Sequence, residues 1–426
     1  MEKLEFTIKD FGLIKKAKLN IGKINIIAGV NGSGKSTASK IFYSFLASIS
    51  NEGIKFHEEK ISSSYQDIKN IIKFKADDSL KELTTRVETI VKNSSNNDIL
   101  ESDEFKNVFK ELIENEYIKK SKNSLKMIEE LKNYLKAKND IKKMKSLIFK
   151  DILTNEFNNE LGFIKKSFLS LENGKGKFSA DFPFENSNII YEKMNFPLND
   201  VFYIETPFIF DFYSSQNFTL KSENNNPFLY HQNSLITKLS VTNHYDNSQN
   251  INLNSEALKI IDEIMEGKIV FDDKKRIFTY KKSGSEYNIK NTATGVKTIG
   301  ILQSLLYNGL DTNSFIIMDE PEVHLHPSWQ IKLAEVIVLL SKEEDINFYI
   351  NSHSPQFIEA IEVFTEKYEL EDKTNYYLTQ LSQESNKYDF IEIEREKIHL
   401  LYQNIGNMYD TLSEIRTENL VKDLKE

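Results

Sequence analysis

A glycine-rich segment at residues 29–37 has the residue types and spacing of a phosphate-binding loop. Its sequence, GVNGSGKST, fits the pattern G-x-x-x-x-G-K-[ST]. In such a loop the glycines turn backbone N–H groups toward phosphate oxygens, and the following helix adds its N-terminal donors. Lys35 would reach the β and γ phosphates, and the Ser36 hydroxyl would bind Mg²⁺. We therefore predict that the nucleotide is held by Asn31, Gly32, Ser33, Gly34, Lys35, Ser36 and Thr37.

A second segment, DEPEVHLHP at residues 319–327, supplies two adjacent carboxylates. The apolar run at residues 314–318 precedes it and predicts a buried strand. A phosphate-binding loop needs an acidic partner at the end of another strand, because the nucleotide is bound with Mg²⁺. Asp319 would hold the hydrated Mg²⁺, and Glu320 would polarise the attacking water. The two acids would then complete a magnesium–nucleotide site.

The histidines of the same segment leave a second interpretation open. His324 and His326 form a His-x-His pair, and histidine nitrogen is a common ligand of transition metals. The segment would then be a metal site of its own. No further histidine or cysteine lies near the pair in sequence, although folding could bring one in. The alternative is that both histidines belong to a loop that follows the acidic pair.

Two further motifs resemble those of the ABC-type ATPases. Residues 292–298, TATGVKT, lead into a predicted helix and are similar to a degenerate ABC signature motif. The resemblance implies that Thr294, Gly295 and Lys297 contact the γ phosphate of a nucleotide bound by a second copy. Residues 351–355, NSHSP, follow a predicted strand, and His353 resembles the switch histidine that contacts the γ phosphate. The resemblance therefore implies a catalytic role for His353 beside Glu320.

Motif order and spacing resemble the ABC/SMC-like ATPases, and more closely the OLD-like group (AAA_15 and AAA_21 types) found in bacterial anti-phage defence systems. The resemblance covers roughly residues 1–50 and 200–365. It implies an α/β fold with an ABC-type ATPase head, hydrolysis of ATP, and ATP and Mg²⁺ as cofactors. It also implies a homodimer of heads or a higher homo-oligomer. In OLD-like ATPases a histidine commonly takes the position of His326, which favours the loop interpretation of both histidines.

The sequence departs from the ABC pattern at two places. The signature has Thr294 where serine is typical and Val296 where a second glycine is typical. Threonine can still donate its hydroxyl, but Val296 puts a close approach of the backbone in doubt. The Q-loop should follow Glu205, and Gln216 is a weak candidate for its glutamine.

The elements that must position these residues alternate between strands and helices, which predicts an α/β architecture. We predict strands near residues 4–8, 17–21, 24–28, 201–204, 314–318 and 346–350, a hairpin at 269–280, and helices near 37–46, 258–265, 297–306 and 329–340. The Asn-rich residues 224–254 predict a loop.

A change in composition predicts three parts along the chain. Residues 51–200 are poor in glycine and rich in Lys, Glu, Asn and Ser, with apolar residues at helical spacing. We therefore predict that 1–50 and 201–426 form the ATPase head and that 51–200 is an inserted helical domain. Between Lys119 and Lys150, eleven lysines accompany three acids, a local net charge of +8 in a chain of net charge −9. This stretch is either a solvated helix face or a contact for a polyanion such as DNA.

Composition excludes several classes of protein. The chain has no cysteine, so it can form neither a disulfide framework nor a zinc–thiolate site, and it has no thiol nucleophile. No run approaches 18 apolar residues, and the charged N-terminus lacks a signal-peptide core. We therefore expect a cytoplasmic protein that does not cross a membrane.

Three functions are compatible with these motifs. The first is the sensor or regulatory ATPase subunit of an anti-phage defence system, acting with a separate effector nuclease. A separate nuclease is expected because the 73 residues after His353 contain no Asp-x-Asp pair and are too few for the Toprim domain of OLD nucleases. The second is a DNA-repair or recombination ATPase of the SMC/RecF type, which would bind DNA directly through the Lys119 to Lys150 stretch. The third, a transporter ATPase, is disfavoured by the histidine-containing motif and the long insertion.

Overall fold

The computed structural model describes residues 4–73, 78–95, 97–164, 166–184, 188–194, 196–215, 229–241, 255–401, 415 and 417. Its strands are β1 Leu4–Phe11, β2 Ile14–Ile21, β3 Ile24–Ala28, β4 Ser167–Asn173, β5 Gly176–Phe182, β6 Ile189–Tyr191, β7 Val201–Ile204, β8 Lys268–Asp272, β9 Ile277–Lys282, β10 Ser285–Asn288, β11 Phe315–Asp319, β12 Asn347–Ser352, β13 Thr374–Leu381 and β14 Tyr388–Ile393.

The α-helices in the same described ranges fall into two groups along the chain. The first group follows β3 directly and contains α1 Lys35–Ile49, α2 Asn51–Lys73, α3 Asp78–Lys92, α4 Asn97–Glu101, α5 Asp103–Glu114, α6 Glu116–Lys119, α7 Lys122–Ala137 and α8 Ile141–Glu156. The second group lies among the later strands and contains α9 Ile209–Ser215, α10 Tyr230–Leu239, α11 Glu256–Met265, α12 Thr294–Tyr307, α13 Pro327–Glu343 and α14 Pro355–Lys367.

A large mixed sheet organises the chain. Within the described residues its order is β6-β5-β4-β1-β2-β14-β13-β3-β12-β11-β7, and β10-β9-β8 form a separate antiparallel sheet. The last four strands of this order, β3, β12, β11 and β7, are parallel neighbours, so their carboxyl ends meet at one edge. β3 and β11 consist mostly of apolar residues that are buried on both faces, as is typical of parallel sheets. This topology confirms the predicted α/β class.

Helices cover the two faces of the sheet. On one face α1 and α8 pack together, and the rings of Phe45 and Phe149 stack with centroids 4.3 Å apart. On the other face α10 to α14 bury side chains such as Leu302 and Ile337 against the strands. The helices from α2 to α7 enclose a smaller apolar core of their own, which includes Phe105 and Leu131. α8 therefore connects that helical region to the helix that follows the phosphate-binding loop.

The structure corrects two sequence predictions of local structure. Residues 167–191 form β4, β5 and β6 on the main sheet, whereas the composition predicted helices up to about residue 200. Their apolar residues pack on the sheet face beside α8, which a Lys- and Asn-rich composition does not reveal. Inside the predicted loop at 224–254, residues 230–239 form α10, and its other residues lie mostly outside the described ranges. Gln216 also lies outside them, and the three-part division of the chain stays a prediction.

Among the described residues, no helix is both long enough and apolar enough to cross a membrane.

Candidate functional site

The phosphate-binding loop lies between β3 and α1, at the carboxyl edge of the sheet. Its last glycine, Gly34, has a φ of 93°, a backbone conformation that residues other than glycine rarely adopt. This turn allows α1 to begin at Lys35 with its N-terminus facing the loop. The Ser33 hydroxyl accepts a hydrogen bond of 2.9 Å from Thr379 on β13, which fixes the loop to the neighbouring strand. The loop and the helix dipole together favour an anion such as phosphate.

Lys35 is buried beneath the loop. Its Nζ donates to the carbonyl oxygens of Gly29 at 2.8 Å and Val30 at 3.0 Å. Burial lowers the pKa of Lys35, while the nearby charges of Glu320 and Asp319 oppose this effect. These two bonds use two of the three ammonium donors, so one donor remains to reach a phosphate oxygen at the loop.

Asp319 ends β11 and is the carboxylate with the most hydrogen-bond partners in the site. Its Oδ2 accepts from the Tyr203 hydroxyl at 2.7 Å, and its Oδ1 accepts from Ser39 at 3.3 Å and from the Asn351 amide. Burial raises the pKa of Asp319, and hydrogen bonds from Ser36, Tyr203 and Asn351 act in the opposite direction. Ser36 and Asp319 thus present a hydroxyl and a carboxylate oxygen together, the donor type that Mg²⁺ prefers. The pair predicted to bind Mg²⁺ is brought into contact.

Glu320 and His353 form a carboxylate–imidazole pair beside Asp319. Oε1 of Glu320 lies 3.1 Å from Nδ1 of His353, and both side chains reach solvent. Glu320 adopts a φ of 45°, and its backbone N–H donates to the carbonyl of Asn351 at 2.9 Å. The positive φ turns its side chain out of the strand at the carboxyl edge. A carboxylate next to an imidazole is chemically suited to accept a proton from water and pass it on.

One cavity of 480 Å³ collects most of the predicted residues. From the loop it is lined by Asn31, Gly32, Ser33, Gly34, Lys35, Ser36 and Thr37, and from β11 by Asp319 and Glu320. Glu205, Thr206 and Pro207, directly after β7, close a further wall, and Val323 and His324 complete it with Leu13. The loop and the acids therefore share one cavity, although they are distant in sequence.

The segment after the acidic pair acts as a structural loop. His326 caps α13, because its Nδ1 accepts from the backbone N–H of Ser328 at 3.3 Å, and Pro327 follows at the first helical position. The ring of His324 packs edge-on against Phe208 with centroids 5.7 Å apart. Among the described residues, no group of three or more His, Asp and Glu side chains is placed to hold a metal ion. The observations favour the loop interpretation over a His-x-His metal site.

Glu322 holds this loop against the strand that precedes His353. It accepts from the Ser352 hydroxyl at 2.6 Å and from the His353 backbone N–H at 3.3 Å. Its carboxylate is buried, and burial raises its pKa. Glu322 therefore fixes the relative positions of Glu320 and His353.

The signature-like residues lie outside the cavity lining. Thr294 and Gly295 begin α12, and a Cβ on Gly295 would come within 2.9 Å of the His324 carbonyl oxygen. Only glycine fits this close approach between α12 and the loop. Lys297 is buried, and its Nζ lies 2.8 Å from both carboxylate oxygens of Asp211. Its charge is thus paired within its own head, and contact of these residues with a second copy's nucleotide stays a prediction.

Sequence reasoning missed four residues around the site. Tyr203 and Asn351 bond to Asp319, and Glu205 lines the cavity while lying 3.3 Å from the buried His231. The strand signals at 201–204 and 346–350 identified three of the four positions as strand or strand-end residues. His231 carried no signal, because it lies in the Asn-rich stretch predicted as a loop.

Comparisons with known proteins place the chain. The AAA ATPase domain model AAA_15 matches residues 1–358. A curated relative, the "Retron Vc95 probable ATPase" of Vibrio cholerae serotype O1 biovar El Tor, is 28% identical over 174 residues, 36% of this chain. The match spans 33% of that relative's length.

Two solved structures are similar at low identity. The SMC head domain from Thermotoga maritima gives a TM-score of 0.38 at 11% identity, covering 92% of this chain and 100% of that chain. The Smc head with an extended coiled coil, bound to the C-terminal domain of ScpA and derived from Pyrococcus furiosus, gives 0.33 at 13% identity, covering 97% and 99%. Scores of this size carry no argument about function. The family match over most of the length, together with the loop, the acids and the cavity they share, establishes that the chain belongs to the AAA_15 family of AAA ATPase domains.

Proposed function

We propose that this chain is the ATP-hydrolysing sensor or regulatory subunit of a bacterial anti-phage defence system and that it acts with a separate effector nuclease. The proposal that the chain hydrolyses ATP rests on one observation: Lys35, Ser36, Asp319 and Glu320 line the same cavity. The defence part rests on the similarity to a retron ATPase.

The proposed reaction assigns one task to each residue. The loop N–H groups and Lys35 hold the phosphates of ATP, and Ser36 and Asp319 hold Mg²⁺, which neutralises phosphate charge when bound. Glu320 accepts a proton from the attacking water, and His353 orients the Glu320 carboxylate. In a homodimer of heads, Thr294 and Gly295 of one copy would approach the nucleotide of the other.

The test of the defence assignment is capture of the complex from the native host. Glu320→Gln protein is purified in ATP, and co-purifying proteins and nucleic acids are identified. A nuclease or other toxic effector that is recovered with Glu320→Gln but not with Lys35→Ala would support the proposal. Recovery of DNA without a protein partner would contradict it and favour the repair ATPase.

The repair alternative is supported by one feature of the surface. Lys119, Lys120 and Lys122 are exposed around the start of α7, within the basic stretch between Lys119 and Lys150. If DNA binds there, the logarithm of its binding constant should fall linearly with the logarithm of the salt concentration. Changing all three lysines to Glu should reduce the magnitude of that slope by about 3, because each phosphate contact contributes about 1. The matched control changes the exposed Lys259, Lys274 and Lys290 in the same way. Equal slopes in the two variants would show that this stretch does not contact DNA.

A further inference from the structure

A buried histidine lies between two carboxylates beside the nucleotide cavity. His231, on α10, is 1% exposed. Its Nδ1 lies 2.6 Å from Glu156 Oε2, and its Nε2 lies 3.3 Å from Glu205 Oε2. The backbone N–H of His231 also donates to Glu156 Oε1 at 2.9 Å. Burial would lower the pKa of His231, but the charges of Glu156 and Glu205 outweigh it and raise the pKa to about 9. The ring is therefore an imidazolium near neutral pH: its Nδ1 donates to Glu156, and its Nε2 forms an ion pair with Glu205 that lacks hydrogen-bond geometry.

Glu205 connects this histidine to the cavity. It follows β7, which runs parallel to β11 with Ile204 opposite Met318, so Glu205 and Asp319 leave adjacent strands at the same edge. Glu205 lines the cavity, and its Oε1 lies 3.3 Å from Nζ of Lys40 on α1. Burial would raise the pKa of Glu205, but His231 and Lys40 lower it to about 2. A third carboxylate is thus held ionised in the wall that Asp319 and Glu320 share.

A second contact leads from His231 to Asp319. The ring of Tyr203 lies against that of His231 with centroids 4.5 Å apart, and the Tyr203 hydroxyl donates to Asp319 Oδ2 at 2.7 Å. Glu205 and Asp319 line the same cavity from the ends of adjacent strands, so their negative charges repel each other. Bound Mg²⁺ would relieve that repulsion. The wall is therefore suited to ATP carried with a divalent cation rather than to ATP alone.

We propose that His231 is a positioning residue of the ATP site: held by Glu156 at the end of α8, it fixes Glu205 in the cavity wall and Tyr203 on Asp319. This inference rests on the proposed ATPase function. His231 itself does not line the cavity, so it acts through Glu205 and Tyr203. Its role is to set how tightly the cavity binds Mg²⁺ together with ATP. Because Glu156 belongs to α8, the same ion pairs connect the helical region to the nucleotide site.

The test is equilibrium binding of fluorescently labelled ATP, titrated with Mg²⁺ in a Glu320→Gln background so that no turnover interferes. Adding His231→Gln should raise the Mg²⁺ concentration at half-maximal binding about 10-fold, the size typical of losing a residue that orients a metal ligand. Binding of labelled ATP without Mg²⁺ should stay unchanged. The matched control is His57→Gln, since His57 is also 1% exposed but packs against Tyr134 in the helical region. An equal rise in both variants would mean a structural effect only and would overturn the inference.

A second pair of variants keeps the test decisive if His231→Gln fails to fold. Glu156→Gln retains the side-chain volume but removes the charge behind His231, and the same shift in Mg²⁺ dependence is expected. In a Glu205→Gln background, Glu156→Gln should add a smaller shift than it does in the parent, because the route through Glu205 is already lost and only the route through Tyr203 remains. Independent, additive shifts would contradict the proposed route. Absence of Mg²⁺-dependent ATP binding in the parent protein would instead contradict the proposed function itself.

Discussion

At the scale of single residues, Lys35 tests the phosphate-binding loop. Its ammonium is buried against the loop carbonyls and is placed to bond a phosphate as a charged donor. Lys35→Ala should weaken ATP binding about 10- to 100-fold, because a hydrogen bond from a charged group contributes about 1.5–3 kcal/mol. Titration calorimetry measures the change. Lys16→Ala, at an exposed lysine of β2, is the control, and equal affinities in the two variants would refute the loop assignment.

His231 predicts how stability depends on pH. Its folded pKa is raised to about 9, above the ordinary value of 6.5, so its ion pairs stabilise the fold fully below pH 6.5 and lose that effect as pH rises toward 9. At pH 6.5 the free energy of unfolding should be larger for wild type than for His231→Gln. This difference should shrink by an amount on the order of 3 kcal/mol by pH 9. Urea unfolding at both pH values measures it. A gap that widens with pH would show that the ring is neutral.

The opposite shift at His57 provides an internal comparison. Burial lowers the pKa of His57 to about 4, so that ring is neutral in the folded protein at pH 6.5. Its contribution to stability falls only as pH drops from 6.5 toward 4. His57→Gln should therefore leave the pH dependence between 6.5 and 9 unchanged.

The positions of the site residues in the fold were predictable from sequence where a short motif defines them. Lys35, Ser36, Asp319 and Glu320 lie where the motifs predict, because strand-end position and local spacing determine them. The partners that tune these groups were not predictable. Tyr203, for example, reaches Asp319 across 116 positions in sequence, and only strand pairing brings them together.

At the scale of elements, the partly buried ion pair of Lys297 and Asp211 joins α12 to α9. The side chain of Lys297 is 4% exposed and that of Asp211 is 25% exposed. Asp211→Asn should destabilise the protein by about 3 kcal/mol, because it leaves a buried ammonium without a counter-charge. The double variant Lys297→Met with Asp211→Leu should recover much of this loss. Thermal unfolding of the three proteins measures the effect.

The same double variant examines the predicted contact of Lys297 with a second copy's nucleotide. If Lys297 serves only to join the two helices, the folded double variant should keep wild-type ATP turnover. Loss of turnover in a stable double variant would favour the contact that the ABC resemblance implies.

Element prediction succeeded where periodicity is strong and failed where composition dominates. β11 is an apolar run that ends in Asp319, β3 is apolar except for Asn25, and α13 at Pro327–Glu343 contains the helix predicted near 329–340, so these elements lie where predicted. β4 and β5 were missed because they follow a Lys- and Asn-rich helical stretch without a marked change in composition. β4 is defined as a strand by its pairing with β1, a contact between distant parts of the chain, and β5 by its pairing with β4.

At the scale of the whole molecule, the fold leaves Thr294 and the start of α12 outside the cavity, where a second head could approach. The resemblance to ABC-type ATPases implies an ATP-linked homodimer, which stays a prediction. Glu320→Gln in ATP and Mg²⁺ should sediment at twice the chain mass of 49.5 kDa, because bound nucleotide is no longer hydrolysed. Omitting ATP should return it to the smaller species. A mass that does not respond to ATP would contradict nucleotide-linked assembly.

The most direct measurement of the central claim compares ATP binding and turnover in wild type and Glu320→Gln. We predict that the variant binds ATP with Mg²⁺ at near wild-type affinity. Its turnover should fall about 10²- to 10⁴-fold, the range for losing a proton-accepting group. Glu343→Gln, at an exposed glutamate at the end of α13, is the matched control and should keep full turnover. Unchanged turnover in Glu320→Gln would contradict the assignment of Glu320 and, with it, the proposed arrangement of the site.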